Sequence, residues 1–247
     1  MASFTFNNLS SETDYHLRIH DVLYNVLPQT VDHDIKVPYG RGRYDYGTYL
    51  DANTIGFVCS LQGASYSDVF TQVEELGVWL NPETGVKKLE YSGKPDRYCY
   101  AKITGDTNVK QILKYGKFTL TFKIPEGIWY GDEVTWLSTD VDDLLNSGGL
   151  SADGIITITC DAITTFLEIA ITGTSELIRI EDSFIVNDVI SINLKTGSVT
   201  KNGTSILNRV TLASTLFDGT FVIPQGDSRL TISGASVLSI TFEEKWL

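Results

Sequence analysis

The sequence predicts a mainly β protein, all-β with one helix in the first of two domains. Three observations carry the prediction. Short segments with apolar residues at every second position recur along the chain, a single stretch steps by three and four, and the charge changes abruptly near the middle. With 247 residues, 42% of them hydrophobic and 20% charged, there is ample material for a packed core.

The helix is predicted from Tyr66, Val69, Phe70, Val73, Leu76 and Leu80, with Ser65 and Asp68 as an imperfect capping box and Asn81-Pro82 as the stop. Phe118, Leu120, Phe122 and Ile124 alternate with Thr119, Thr121 and Lys123, which reads as a strand. Tyr98, Tyr100 and Ile103 form another, bounded by Lys94-Pro95-Asp96 and Gly105-Asp106. In the second half Ile156 and Ile158 alternate with threonine, Leu177, Ile178 and Ile180 surround Arg179, and Ile190, Ile192 and Leu194 surround Ser191 and Asn193. Turns are predicted between them at Thr172-Gly173, Thr196-Gly197, Asn202-Gly203, Asp218-Gly219 and Gln225-Gly226. Asn202-Gly203 favours a tight hairpin because both central positions take positive φ. The spacing predicts an antiparallel sandwich.

The net charge of −12 is not evenly spread. Residues 1–124 carry 13 bases and 14 acids, whereas residues 125–247 carry 6 and 17, so the two halves stand at −1 and −11. Between them Glu126 to Asp143 holds six acids and no base, followed by Asn146-Ser147-Gly148-Gly149, which reads as a solvated linker. The boundary is therefore expected between 130 and 150, with domains at 1–135 and 136–247.

An acidic surface disfavours nucleic acid and anionic lipid as partners. Cys59, Cys99 and Cys160 form no CxxC pair and read as free thiols. The first residues lack a basic segment followed by an apolar run, and no apolar run is long enough to cross a bilayer, so a soluble protein is expected.

Catalytic templates fail on residue supply. His16, His20 and His33 are the only histidines, and there is no Gly-x-Ser-x-Gly elbow and no phosphate-binding loop. His16 and His20 read as surface or turn residues rather than metal ligands, and Asp140, Asp142 and Asp143 as linker rather than a calcium loop. No catalytic residue, metal site or cofactor is assigned. Tyr39, Arg41, Arg43, Tyr44, Tyr46 and Tyr49 interleave aromatic and basic side chains around a glycine-rich turn. They are candidates, with Trp79, for a protein interface, since tyrosine, arginine and tryptophan combine large area with hydrogen bonding.

Several strings resemble one family when taken in order. Ser3-Phe4-Thr5-Phe6-Asn7, Val37-Pro38-Tyr39-Gly40-Arg41-Gly42, Tyr44-Asp45-Tyr46-Gly47 and Trp79-Leu80-Asn81-Pro82 are followed by Lys88-Leu89-Glu90-Tyr91, Pro95-Asp96-Arg97-Tyr98 and Gly116-Lys117-Phe118-Thr119-Leu120-Thr121-Phe122. Asn193-Leu194-Lys195-Thr196-Gly197-Ser198-Val199, Asn202-Gly203 and Phe242-Glu243-Glu244-Lys245-Trp246-Leu247 complete the series. Together they resemble the distal tail proteins of long-tailed phages that infect Gram-positive bacteria.

The resemblance implies a split-barrel-like belt domain that forms a homohexameric ring, and a galectin-like or carbohydrate-module-like β-sandwich projecting outward, with residues from about 241 to 247 returning to the first domain. It implies a structural hub in the virion, made in the host cytoplasm, rather than an enzyme. Its partners would be copies of itself, the tail tube protein, the tail-tip protein that carries lytic or spike functions and, in many phages, receptor-binding proteins, with genome DNA passing through the ring unread. Two other readings stand beside it. A cell-wall carbohydrate-binding sandwich is motivated by Trp79, Trp129, Trp136 and Trp246, and a glycoside hydrolase by the many acids, none of which the sequence singles out.

Overall fold

A computed structural model describes residues 2–36, 41–105, 107, 109–112, 114–137, 144–171, 177–212, 221–233 and 236–247. The chain divides into two compact units, Met1–Tyr130 together with Leu247, and Gly131–Trp246.

The first unit is built on the long strand Asn53–Gln62, paired antiparallel with Tyr115–Ile124 on one side and Arg18–Tyr24 on the other. Tyr115–Ile124 continues into Lys94–Ile103 through Phe122 opposite Ile103, then into Lys87–Tyr91, and from there into the N-terminal strand Phe4–Phe6. Period-two alternation drives this order: Phe118, Leu120, Phe122 and Ile124 are buried on one face of their strand. Phe4, Phe57 and Phe122 meet at its centre, with Phe4 stacked on Phe57 at 4.5 Å and edge-on to Phe122 at 5.4 Å. The buried Ser11 hydroxyl accepts the Phe4 amide hydrogen at 3.0 Å and so pins the first strand.

The second unit is an antiparallel β-sandwich. One sheet has the order Ser198–Lys201, Val189–Asn193, Gly154–Cys160, Ser236–Trp246, and the other runs Val210–Leu212, Leu177–Phe184, Thr164–Ile171, Leu230–Ser233. Ile156, Ile158, Ile190, Ile192, Leu238 and Ile240 of the first sheet and Leu167, Ile169, Ile178 and Ile180 of the second make its core, each fully buried. Asn202 and Gly203 stand at φ 48° and 81° between the paired Lys201 and Thr204. The turn is fastened by Asp188, whose carboxylate accepts from the Ile185 amide at 2.9 Å and the Asn202 side chain at 2.8 Å and lies 3.1 Å from the Lys201 ammonium. These bonds, the Ile185 amide first, hold the Asp188 carboxyl below the usual carboxylate range.

Part of the expected linker is ordered structure. Trp129–Leu137 is a strand, because Val134 and Trp136 alternate with outward-facing residues and pack against the sandwich core. Period-two alternation outweighs the acidic count there. Leu144–Asn146 is a second short strand, paired with Gly226–Ser228. Gly148 then passes so close to Lys245 that a Cβ would lie 2.7 Å from its carbonyl oxygen, so glycine serves a close approach rather than a flexible tether. Asp140, Asp142 and Asp143 and the turns at Thr172-Gly173 and Asp218-Gly219 lie outside the described residues.

Cys59, Cys99 and Cys160 are buried and joined in no disulfide, and burial pushes the Cys59 and Cys99 thiols up to about 12. A thiol is reactive only as the thiolate. At pH 8 the folded protein is therefore expected to resist a thiol reagent at all three positions and to take up three labels on unfolding, read by intact mass. Labelling in native buffer at the rate of a free thiol would contradict this burial.

Candidate oligomer interface

Thr30–Lys36 and Arg43–Leu50 form a two-stranded antiparallel ribbon, a sheet of their own among the described residues. Its register shifts at one place, where Asp32 faces Thr48 but Asp34 faces Asp45, so that the second strand carries one extra residue at Tyr46-Gly47. Gly47 takes φ 103°, a conformation that side chains strain to reach.

The bulge sorts the side chains. Without it the aromatic residues of the second strand would divide between the two faces. With it Tyr44 stands opposite Ile35, and Tyr49 opposite Val31, on the face that also carries His33, whose ring lies 5.2 Å from that of Tyr49. The opposite face is polar. There Arg43 reaches both carboxylate oxygens of Asp34 at 2.7 Å and the Thr48 hydroxyl donates to Asp32 at 2.6 Å. The Asp34 hydrogen bond raises the Arg43 pKa above its ordinary value, followed by the carboxylate's charge. Exposed ion pairs of this kind fix register more than they stabilise.

The apolar face is open. Tyr44 is 65% and Tyr46 68% exposed, and Ile35 and Tyr49 are also exposed. An isolated two-stranded ribbon is marginal in water, and a cluster of exposed aromatic residues marks an interaction surface. Arg41 is an exposed residue at the tip, and Tyr39 lies outside the described residues.

Trp79 is a correction. Expected at an interface, it is 7% exposed, stacked on Tyr15 at 4.1 Å and parallel to Phe4 at 5.8 Å, and its indole N–H donates to the Phe6 carbonyl at 3.0 Å. It ends the helix α1 (Tyr66–Trp79), whose start is capped by the Ser65 hydroxyl accepting from the Asp68 amide at 3.2 Å. The same helix reverses a second expectation. Val69, Leu76 and Trp79 face the core, but Tyr66 and Phe70, expected in the apolar stripe, are exposed and lie against each other with ring centroids 5.6 Å apart.

The remaining candidates are dispersed. His16 sits in a turn at φ 53° and His20 on a strand, bonded to the Ser60 hydroxyl at 2.7 Å. No group of three potential metal ligands occurs among the described residues. Trp79 and Trp129 are buried, and Trp136 and Trp246 are half-buried. A cavity of about 350 Å³ in the first unit, lined by Asn25, Asn53, Tyr91, Lys94 and Trp129, has no aspartate, glutamate or histidine on its walls. Lys94 lies 4.4 Å over the Trp129 ring, and burial lowers its pKa. Paired-carboxylate chemistry has no seat in that cavity.

Comparison with known proteins agrees with this architecture. Residues 10–124 match the family described as phage tail protein RIFT-related domain, and residues 147–246 match the siphovirus-type tail component, C-terminal domain. The crystal structure of SPP1 Dit, described as a paradigm of the hub adsorption apparatus in phages infecting Gram-positive bacteria, superposes with a TM-score of 0.82 over 100% of both chains at 17% identity. A chain of the phage P2 baseplate in its activated conformation aligns over 99% of this chain and 98% of its own at 12% identity and a TM-score of 0.46. Among curated proteins none matches. With one tail-protein family covering the first unit and another the second, the chain belongs to the distal tail (Dit) proteins of siphophages, components of the phage tail.

Proposed function

We propose that six copies of this chain close into a ring at the tail tip, joining the tail tube to the tail-tip protein and leaving a channel through which the genome passes. The observation that carries this reading is the ribbon: an ordered two-stranded arm with an uncovered aromatic face. Such an arm gains its stability by lying on another chain. A patch on one copy that meets a different patch on the next is a heterologous contact, and a heterologous contact that closes by rotation makes a ring.

Charge supports the arrangement. The nearly neutral first half packs against copies of itself, while the half at −11 sits on the periphery, where self-repulsion is weaker. There it has room to anchor receptor-binding proteins, which makes the protein a hub for host adsorption.

Light scattering and negative-stain images of the purified full chain test the ring. Six-fold rings are expected, and Tyr44→Asp combined with Tyr49→Asp is expected to yield monomers whose circular dichroism is unchanged. Monomers of the parent chain at every concentration, alone and with the tail-tip protein, would count against it.

A further inference from the structure

Ring closure, on the reading above, needs a surface that receives the ribbon. We infer that this surface is the exposed row of helix α1 on the neighbouring copy, together with the apolar groove beside it. Tyr66, Phe70, Glu74 and Val78 follow one another at four-residue steps and so form a single outward row, with Phe70 54% and Val78 79% exposed. Alongside runs a groove of about 230 Å³ with mainly apolar walls, Val73, Leu76, Leu80, Ile103 and Phe118 among them, and Thr107 as its polar lining residue.

The ribbon and this row match in chemistry. Each is an aromatic and aliphatic surface that its own chain leaves in water, and burying both removes the apolar exposure of each. They also match in charge. Helix α1 carries Asp68, Glu74 and Glu75, has no base in its last turn, and is followed by Glu83. The ribbon tip carries Lys36, Arg41 and Arg43, of which Arg43 is held by Asp34. Basic tip and acidic helix steer the encounter and fix which way round the aromatic face lands.

A second copy is the occupant that satisfies both patches at once. Every ribbon then covers one helix and every helix receives one ribbon, which leaves no patch over when the ring closes.

Inter-chain cross-linking of the full chain tests the assignment. Tyr44→Cys and Phe70→Cys are made in separate chains, mixed, and oxidised mildly. The native thiols are buried and stay out of the reaction. A covalent dimer is expected from the mixture, and a ladder up to the closed ring from the chain carrying both substitutions. Tyr44→Cys mixed with Ile163→Cys, an exposed position in the second unit, is expected to give none.

Charge gives an independent arm. Glu74→Arg and Arg41→Glu, singly, are each expected to raise by about tenfold the concentration at which rings give way to monomers, and together to restore it. Rings that form without the 44–70 link and without charge rescue would overturn the receiving surface and leave the ring standing. Monomers throughout would overturn the ring itself, and this inference with it.

Discussion

Replacing Trp79 with alanine is expected to lower the stability of the first unit by about 3–5 kcal/mol, the range for emptying a buried tryptophan site. The cavity would open between Phe4 and Tyr15, both of which lie against the indole, and the Phe6 carbonyl would lose its donor. Single domains are stable by only about 5–15 kcal/mol, so the unit would be left near its threshold. Trp79→Phe separates the two contributions: the ring stack survives and the hydrogen bond is lost, at an expected cost of about 1–2 kcal/mol. Thiol labelling during denaturation locates the effect. Cys59 and Cys99 report the first unit and Cys160 the second, so Trp79→Ala should bring forward labelling of the first pair and leave Cys160 unmoved. Equal shifts at all three would mean that Trp79 does not act through the first unit's core.

This role for Trp79 was invisible in the sequence for a definable reason. Its place at the end of a helix is compatible with either side of that helix, and a large aromatic residue suits an interface as well as a core. Only the pairing of Phe4–Phe6 with Lys87–Tyr91 brings the Phe6 carbonyl within reach of the indole, across 73 positions of chain. The same ambiguity misassigned Tyr66 and Phe70. They belong to the three-and-four pattern, but so narrow a helix cannot bury its whole stripe against one sheet, and its edge is left outside.

Local chemistry was legible where it is self-sufficient. The fold class follows from alternation, since Ile156, Ile158, Ile190 and Ile192 can be buried together only if their segments are strands. The Ser65 cap and the Asn202-Gly203 turn follow from groups within a few residues of each other. The Tyr44 to Tyr49 cluster could be singled out by composition, but not its geometry. The bulge at Tyr46-Gly47 is a property of two strands in register, and without it the aromatic residues would point both ways. The acidic segment failed for the opposite reason: the two acids within the strand, Asp132 and Glu133, are exposed, while Val134 and Trp136 farther along it pack against the sandwich core.

Asn146 carries that lesson to an energetic test. Read by composition as part of a linker, it is fully buried. Its amide nitrogen lies 3.1 Å from the Leu150 carbonyl, 3.3 Å from that of Ile223 and 3.1 Å from that of Pro224, while its amide oxygen accepts from the Gly148 N–H at 3.0 Å. Asn146→Asp changes almost nothing in shape and reverses the electrostatics, turning a carboxylate toward three carbonyl oxygens in place of a donor. An uncompensated buried charge costs about 3–5 kcal/mol. By linkage the folded-state pKa of the new carboxyl is then raised above the unfolded value of about 3.9, by roughly 2–4 units. The sign of the pH dependence follows. Below about pH 4 the group is protonated in both states and the variant should lie within about 1 kcal/mol of the parent, having lost one donor hydrogen. As pH rises the unfolded chain gives up its proton first, so the deficit grows until the folded carboxyl also ionises, and it is flat thereafter. Denaturant titrations of parent and variant at pH 4 and pH 8 measure the two ends. A deficit independent of pH would mean that the Asn146 amide is not enclosed by those carbonyls.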